Sequence, residues 1–118
     1  MRLVLFVCVS MVMFGSTEAV SATLATATWY SLPGRFMVNG QRFDPKDPTI
    51  AAGTGALYGK KLLVTNTKNR SSIVIWVTDR MANIYRGDRI DLTPAGARQL
   101  GFLKEGRIVV EIEVLPTS

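Results

Sequence analysis

The stretch Arg107 to Leu115 (RIVVEIEVL) alternates residue by residue: Ile108, Val110, Ile112 and Val114 fall on one side, and Val109, Glu111, Glu113 and Leu115 on the other. A two-residue period belongs to a β-strand, because successive side chains leave opposite faces, and this strand has one buried face and one partly wet one. Thr23 to Tyr30, Lys61 to Asn66, Ser72 to Thr78 and the short Arg89 to Leu92 read as further strands. Between them lie turn-formers: Leu32-Pro33-Gly34, Val38-Asn39-Gly40, Asp44 to Pro48, and the polar run Thr67 to Arg70, which fits a hairpin loop. One helix is legible, with Thr93 as cap, Pro94 in the first turn, good formers from Ala95 to Leu100 and Gly101 as terminator. No internal repeat or heptad competes with this pattern. Many short strands with one or two short helices are expected to form a mainly β, small closed barrel, which leaves no sheet edge exposed.

The first residues follow different rules. Arg2 precedes the apolar run Leu3 to Phe14, and small residues follow at Val20-Ser21-Ala22, which is the pattern of a secretory signal peptide over residues 1–22. The run is shorter than the roughly 20 apolar residues that a helix needs to cross a bilayer, so no membrane span is expected after cleavage. Residues 23–118 then form one domain, expected as a monomer and secreted or periplasmic. The single cysteine, Cys8, lies inside the leader and follows Val7 rather than the small residue a lipoprotein site requires. A domain without thiols rests on its hydrophobic core, because no disulfide restrains the unfolded chain. Arg2 and Glu18 cancel, so the charge stays at +5 with or without the leader. Such a charge favours an anionic partner, and for an exported chain that is an envelope polymer or membrane surface, with no nucleic acid; the alternative is that the charge serves solubility alone.

The chain has no histidine, no thiol beyond the leader and no serine in a Gly-x-Ser-x-Gly setting, so nucleophilic triads, thiol chemistry and a transition-metal centre are not expected. Neither nucleotide-binding glycine loop is present, and no cofactor is expected. Carboxylates remain. Asp79 follows the apolar run Ile73 to Thr78, at the end of a strand where a side chain can enter a cleft. It admits two readings: a partly buried proton donor, or a partner for Arg80 or the following turn. Asp91, between Ile90 and Leu92, points away from both and is read as structural, accepting backbone N–H groups. Asp44 and Asp47 flank prolines as turn-formers, and Asp88 reads as a solvated charge. Trp29, Tyr30, Phe36 and Tyr85 are either a stacking platform for sugar rings or core; Tyr30 and Tyr85, beside loops, are expected near a groove, and Trp76 in the core.

Taken together, Ala27-Thr28-Trp29-Tyr30, Asn39-Gly40-Gln41-Arg42-Phe43-Asp44, Thr49-Ile50-Ala51-Ala52, Leu57-Tyr58-Gly59-Lys60, Val64-Thr65-Asn66, Val77-Thr78-Asp79-Arg80, Arg89 to Ala97 and Leu100-Gly101 resemble, in order, the RlpA-like (rare lipoprotein A) family. That family is related in fold to expansins and barwin. The resemblance implies a six-stranded double-psi β-barrel and an envelope protein directed at peptidoglycan glycan strands. Some members are lytic transglycosylases, in which one carboxyl protonates the glycosidic oxygen and then takes a proton from the substrate's own hydroxyl, closing a 1,6-anhydro ring. Under that resemblance the acid and base is Asp79, the sugar-binding residues are Gln41, Tyr30, Tyr85, Arg80 and Asn39, and Asp91 and Asp44 are structural.

The sequence departs from the family pattern at three places. Gln41 stands where active members carry glutamate, Gly53 where they carry histidine, and Met81-Ala82 where Gly-Pro follows Asp-Arg. Inverting hydrolysis requires two carboxylates around a water. Loss of the glutamate therefore points to single-carboxyl transglycosylation, or alternatively to an expansin-like module that binds wall glycan without cutting it.

Overall fold

The computed structural model describes residues 21–82 and 87–117. Six strands, β1 (Thr23–Trp29), β2 (Ile50–Gly53), β3 (Lys61–Asn66), β4 (Ser72–Arg80), β5 (Arg89–Leu92) and β6 (Arg107–Leu115), close into a barrel in the order β1-β5-β2-β4-β3-β6. The pairs β1–β5 and β2–β4 are parallel, and the other four are antiparallel. Closure is completed by β6, which pairs with both β1 and β3.

The expected strands are all present, and two features go beyond them. Strand β2 had no strand signal of its own, because it is only four residues long and buried throughout, with small residues from Ala51 to Gly53, so nothing alternates. Strand β4 continues past its apolar run through Asp79 to Arg80. In its pairing with β2 the register shifts: Ala51 lies opposite Val77, but Ala52 lies opposite Asp79, which leaves Thr78 as an extra residue. Such a bulge breaks strict alternation and re-aims the side chain that follows.

The barrel interior is filled by Ala27, Leu62, Val64, Ile75, Val77, Ile90, Leu92 and Val110, with Leu100 and Phe102 closing one end. Helix α1 (Pro94–Leu100) is held as its sequence requires. The Thr93 hydroxyl accepts the Gly96 N–H at 2.9 Å and donates to the Asp47 carbonyl at 2.8 Å, and Gly101 terminates the helix in a left-handed conformation (φ 84°). The last helical carbonyl, that of Leu100, accepts from buried Asn66 at 2.8 Å and from Ser71 at 3.1 Å, so the β3–β4 hairpin caps the helix.

Between β1 and β2 the chain folds into a lobe with its own small apolar cluster of Met37, Phe43 and Ile50, packed against Tyr30. Paired backbone bonds between Gly34, Arg35 and Phe43 and between Met37 and Gln41 make a tight hairpin of it, and the Asn39 N–H docks it on the Thr78 carbonyl at 3.2 Å. The bulge in β4 thus also serves as the seat of the lobe. Asp44 and Asp47 turn the chain back toward β2, accepting the N–H groups of Lys46 and Thr49 at 2.9 and 2.8 Å.

Candidate functional site

Thr28 of β1, Asp91 of β5, Ala52 of β2 and Asp79 of β4 stand side by side, in register across four adjacent strands. Ala27, Ile90 and Ala51, which precede Thr28, Asp91 and Ala52, fill the barrel interior, as does Val77 ahead of the extra residue Thr78, so this row faces outward. Asp91, Ala52 and Asp79 of this row form the floor of a cleft of about 400 Å³, whose walls include Tyr30, Met37 and Phe43 from the lobe, and Arg80 and Met81. Asp79 and Asp91 both flank Ala52, so their backbones are two strand spacings apart, about 10 Å. Along the row, only Ala52 stands between the two aspartates.

Strict alternation from Val77 would have turned Asp79 toward the barrel interior. The extra residue at Thr78 places it opposite Ala52, on the cleft face.

The two carboxylates are held differently. Asp79 Oδ1 accepts the N–H of Val38 and that of Arg80, each at 3.0 Å, and Oδ2 faces the Tyr30 hydroxyl at 3.4 Å. Asp91 Oδ1 accepts from the Thr28 hydroxyl at 2.8 Å. The backbone N–H acceptor expected at Asp91 is thus found at Asp79, because the lobe meets β4 rather than β5. Burial pushes the Asp91 carboxyl above its ordinary range, and the Thr28 bond and the Arg89 charge only partly offset this. Tyr30 is also raised, first by burial and then by the negative charges of Asp79 and Asp91, so its phenol remains a proton-bearing donor between them. The cleft accordingly offers a desolvated carboxyl with a raised affinity for a proton, a second carboxyl anchored by backbone N–H groups, and a phenol. That set can give a proton at one point and accept one at another.

The other expected residues divide. Tyr30 lines the cleft, its ring 4.6 Å from that of Phe43. Arg80 lines it too, but its side chain makes no ion pair with Asp79; the guanidinium lies 4.8 Å over the Tyr58 ring, and the ion pair among the described residues is Arg70 with Glu111. Asn39 and Gln41 line a neighbouring trough, bonded to each other through Asn39 Nδ2 and Gln41 Oε1 at 3.0 Å. Tyr85 lies outside the described residues.

Of the aromatic residues, Phe36 is exposed at the cleft rim with Arg42 4.2 Å over its ring, whereas Trp29 packs on the core and donates to the Leu103 carbonyl at 3.0 Å. Trp76 was expected in the core and is 40% exposed: Ile75 and Val77 take the inward positions of β4, which turns the indole outward. In an unbroken apolar run the inward residues cannot be told from the outward ones. The sequence also gave no sign of Thr28, Ala52 or Tyr58 as site residues, since each acquires its place only through cross-strand register or loop packing.

No family model matches the chain. It is 42% identical over 82 residues to the probable endolytic peptidoglycan transglycosylase RlpA of Nostoc sp., a match that covers 70% of this chain and 22% of that protein. It is 38% identical over 90 residues to the endolytic peptidoglycan transglycosylase RlpA of Neisseria meningitidis serogroup A, covering 74% of this chain and 36% of the relative. The chain therefore spans well under half the length of these curated relatives. Among solved structures, the Streptomyces papain inhibitor superposes with a TM-score of 0.67 at 19% identity, over 81% of this chain and 96% of that one, which is a likeness of fold. The expansin of Clavibacter michiganensis superposes with a TM-score of 0.64 at 25% identity, over 83% of this chain and 52% of that one. With its closed six-stranded barrel and a sequence likeness that runs through most of its length, the chain belongs to the RlpA-like double-psi β-barrel family.

Proposed function

We propose that this chain is a peptidoglycan-directed protein of the bacterial envelope, exported by its leader, and that it cleaves glycan strands as a lytic transglycosylase. The observation that carries this reading is the placement of Asp79 and Asp91 on one outward row, either side of Ala52, in a cleft large enough for a sugar. The names of the relatives support the substrate class.

The resemblance alone gave both proton steps to Asp79, and the geometry supports dividing them. Asp91, whose desolvated carboxyl binds a proton more tightly than an ordinary carboxylate, protonates the glycosidic oxygen as the bond to the anomeric carbon breaks. Asp79, fixed by two backbone N–H groups, takes the proton of the sugar's own C6 hydroxyl as that oxygen closes on the anomeric carbon. One proton is given and one taken, no water is consumed, and exchange with solvent resets the pair. Tyr30 holds Asp79 in place and can bond the substrate.

Sacculi stripped of stem peptides, incubated with the protein from residue 23 onward, are expected to release anhydro-sugar ends detectable by mass spectrometry. Asp79→Asn and Asp91→Asn should each reduce the product at least about a hundredfold, the scale of a lost general acid or base. Full product from Asp91→Asn returns both steps to Asp79. Full product from Asp79→Asn, or none from the wild type, removes the enzymatic reading.

A second reading, an expansin-like module that binds wall glycan without bond cleavage, is favoured by Gln41, which stands at the family's glutamate position and cannot transfer a proton. Retention of both wild type and Asp79→Asn on sacculi, with no soluble fragments, distinguishes it.

A further inference from the structure

The trough beside the carboxylate cleft has a volume of about 460 Å³ and takes no part in the proton chemistry above. Its lining combines Trp76 and Tyr58 with the amides of Asn39 and Gln41 and the hydroxyls of Thr49 and Thr78. The Trp76 indole, 40% exposed, leaves apolar surface in water at the wall of this concavity, where a flat ligand face can cover it.

Both rings are held in place. Lys61, the cross-strand neighbour of Trp76, has its Nζ 5.6 Å from the centre of that ring, and Arg80 lies over Tyr58. A platform fixed before binding loses little side-chain entropy when a ligand settles on it. The amides are fixed too: the Gln41 N–H bonds to Asn39 Oδ1 at 3.0 Å, and Asn39 Nδ2 bonds to Gln41 Oε1. That leaves the Gln41 amide nitrogen uncommitted among the described residues. A flat apolar ring bordered by amides, hydroxyls and the Asp47 carboxylate, an acceptor for sugar hydroxyls, matches a pyranose, whose C–H face is apolar and whose rim carries hydroxyl and acetamido groups.

The trough also adjoins the cleft. Arg80 lines the cleft and stacks on Tyr58, which lines the trough, and the Met37–Gln41 turn separates the two. Trp76 and Asp79 lie three residues apart on β4, about 10 Å at the rise of a strand, a span that linked sugar rings can bridge.

We propose that this trough is a second sugar subsite, which seats one pyranose of a glycan strand on Trp76 while a nearby residue of the same strand occupies the carboxylate cleft. This rests on the glycan-directed reading above.

Calorimetric titration with a soluble β-linked N-acetylglucosamine oligosaccharide, alongside a pull-down on sacculi, tests it. The wild type is expected to bind both. Trp76→Ala should weaken oligosaccharide binding about tenfold or more, and Trp76→Phe, which keeps a ring, should stay within about threefold of wild type. Circular dichroism checks that the variants fold, and if Trp76→Ala does not, Gln41→Ala at the exposed turn should show the weakening instead. Wild-type affinity in both Trp76→Ala and Gln41→Ala, or binding to sacculi with none to the oligosaccharide, overturns the subsite and leaves the glycan reading intact. A wild type that binds neither material overturns both.

Discussion

Asp91 and Asp79 are both carboxylates on one barrel face, and their surroundings separate them. Asp91 has traded water for the walls of the cleft and a single Thr28 hydroxyl, which raises its affinity for a proton. If Asp91 is the donor, activity must fall as pH rises through its raised pKa, because the donor is then lost. Thr28→Val removes a bond that favours the charged form, so it should move that alkaline fall to higher pH, measurable as the pH profile of anhydro-sugar release. An unmoved profile would mean that another group sets the limb. Stability gives an independent sign. A raised folded-state pKa means that ionised Asp91 weighs against the fold, with no penalty below the ordinary value of 3.8 and a full one above the folded pKa. Asp91→Asn should therefore raise the melting temperature at neutral pH relative to wild type, with the gain shrinking as pH falls through the raised folded pKa toward 3.8 and lost below it.

At the scale of the element, strand β2 is short and made of small residues because β4 lies hard against it. A Cβ at Gly53 would lie 2.8 Å from Val77 Cγ1 and 3.3 Å from Leu57 Cβ, inside any normal contact distance. This accounts for the glycine after Ala51-Ala52: the residue turns into the packed interior beside Val77, while Ala52 takes the cleft face. Gly53→Ala should destabilise the domain by about 1–3 kcal/mol in urea unfolding, the usual cost of overpacking. Because the shortest contact is with the Val77 side chain, the added cost of Gly53→Ala should be smaller in a Val77→Ala background. Equal costs in the two backgrounds would show that the strain lies in the backbone of β2 instead. The same strand pair carries the bulge at Thr78, so one short element sets both the packing limit and the direction of Asp79.

At the scale of the molecule, the barrel presents two adjoining concavities on a chain of net charge +5. A cationic domain approaching an anionic wall polymer should be helped by long-range attraction, which salt screens: the Debye length falls from about 10 Å at 0.1 M to about 3 Å at 1 M. Retention on sacculi should thus weaken as sodium chloride is raised over that range, while a remainder persists from stacking and hydrogen bonding in the cleft and trough. Binding that does not change with salt would assign the charge to solubility alone.

The sequence determined the parts whose signal is local. Period-two alternation in Arg107–Leu115 and Lys61–Asn66 and the Thr93-Pro94 to Gly101 punctuation of α1 each depend on residues within a few positions of one another, and all stand where expected. Asp79, Asp91 and Tyr30 could be singled out because few other residue types were left to do proton chemistry. Tertiary structure decided what depends on register. The β2 strand, with no alternation to read, is defined by its neighbours β4 and β5; the outward face of Trp76 by which of its equally apolar neighbours went inside; and the backbone N–H anchoring of Asp79 rather than Asp91 by where the lobe docks and where one extra residue enters β4. A side chain's chemistry is written at its own position, but its direction and its water are set by strands that the chain meets only on closing the barrel.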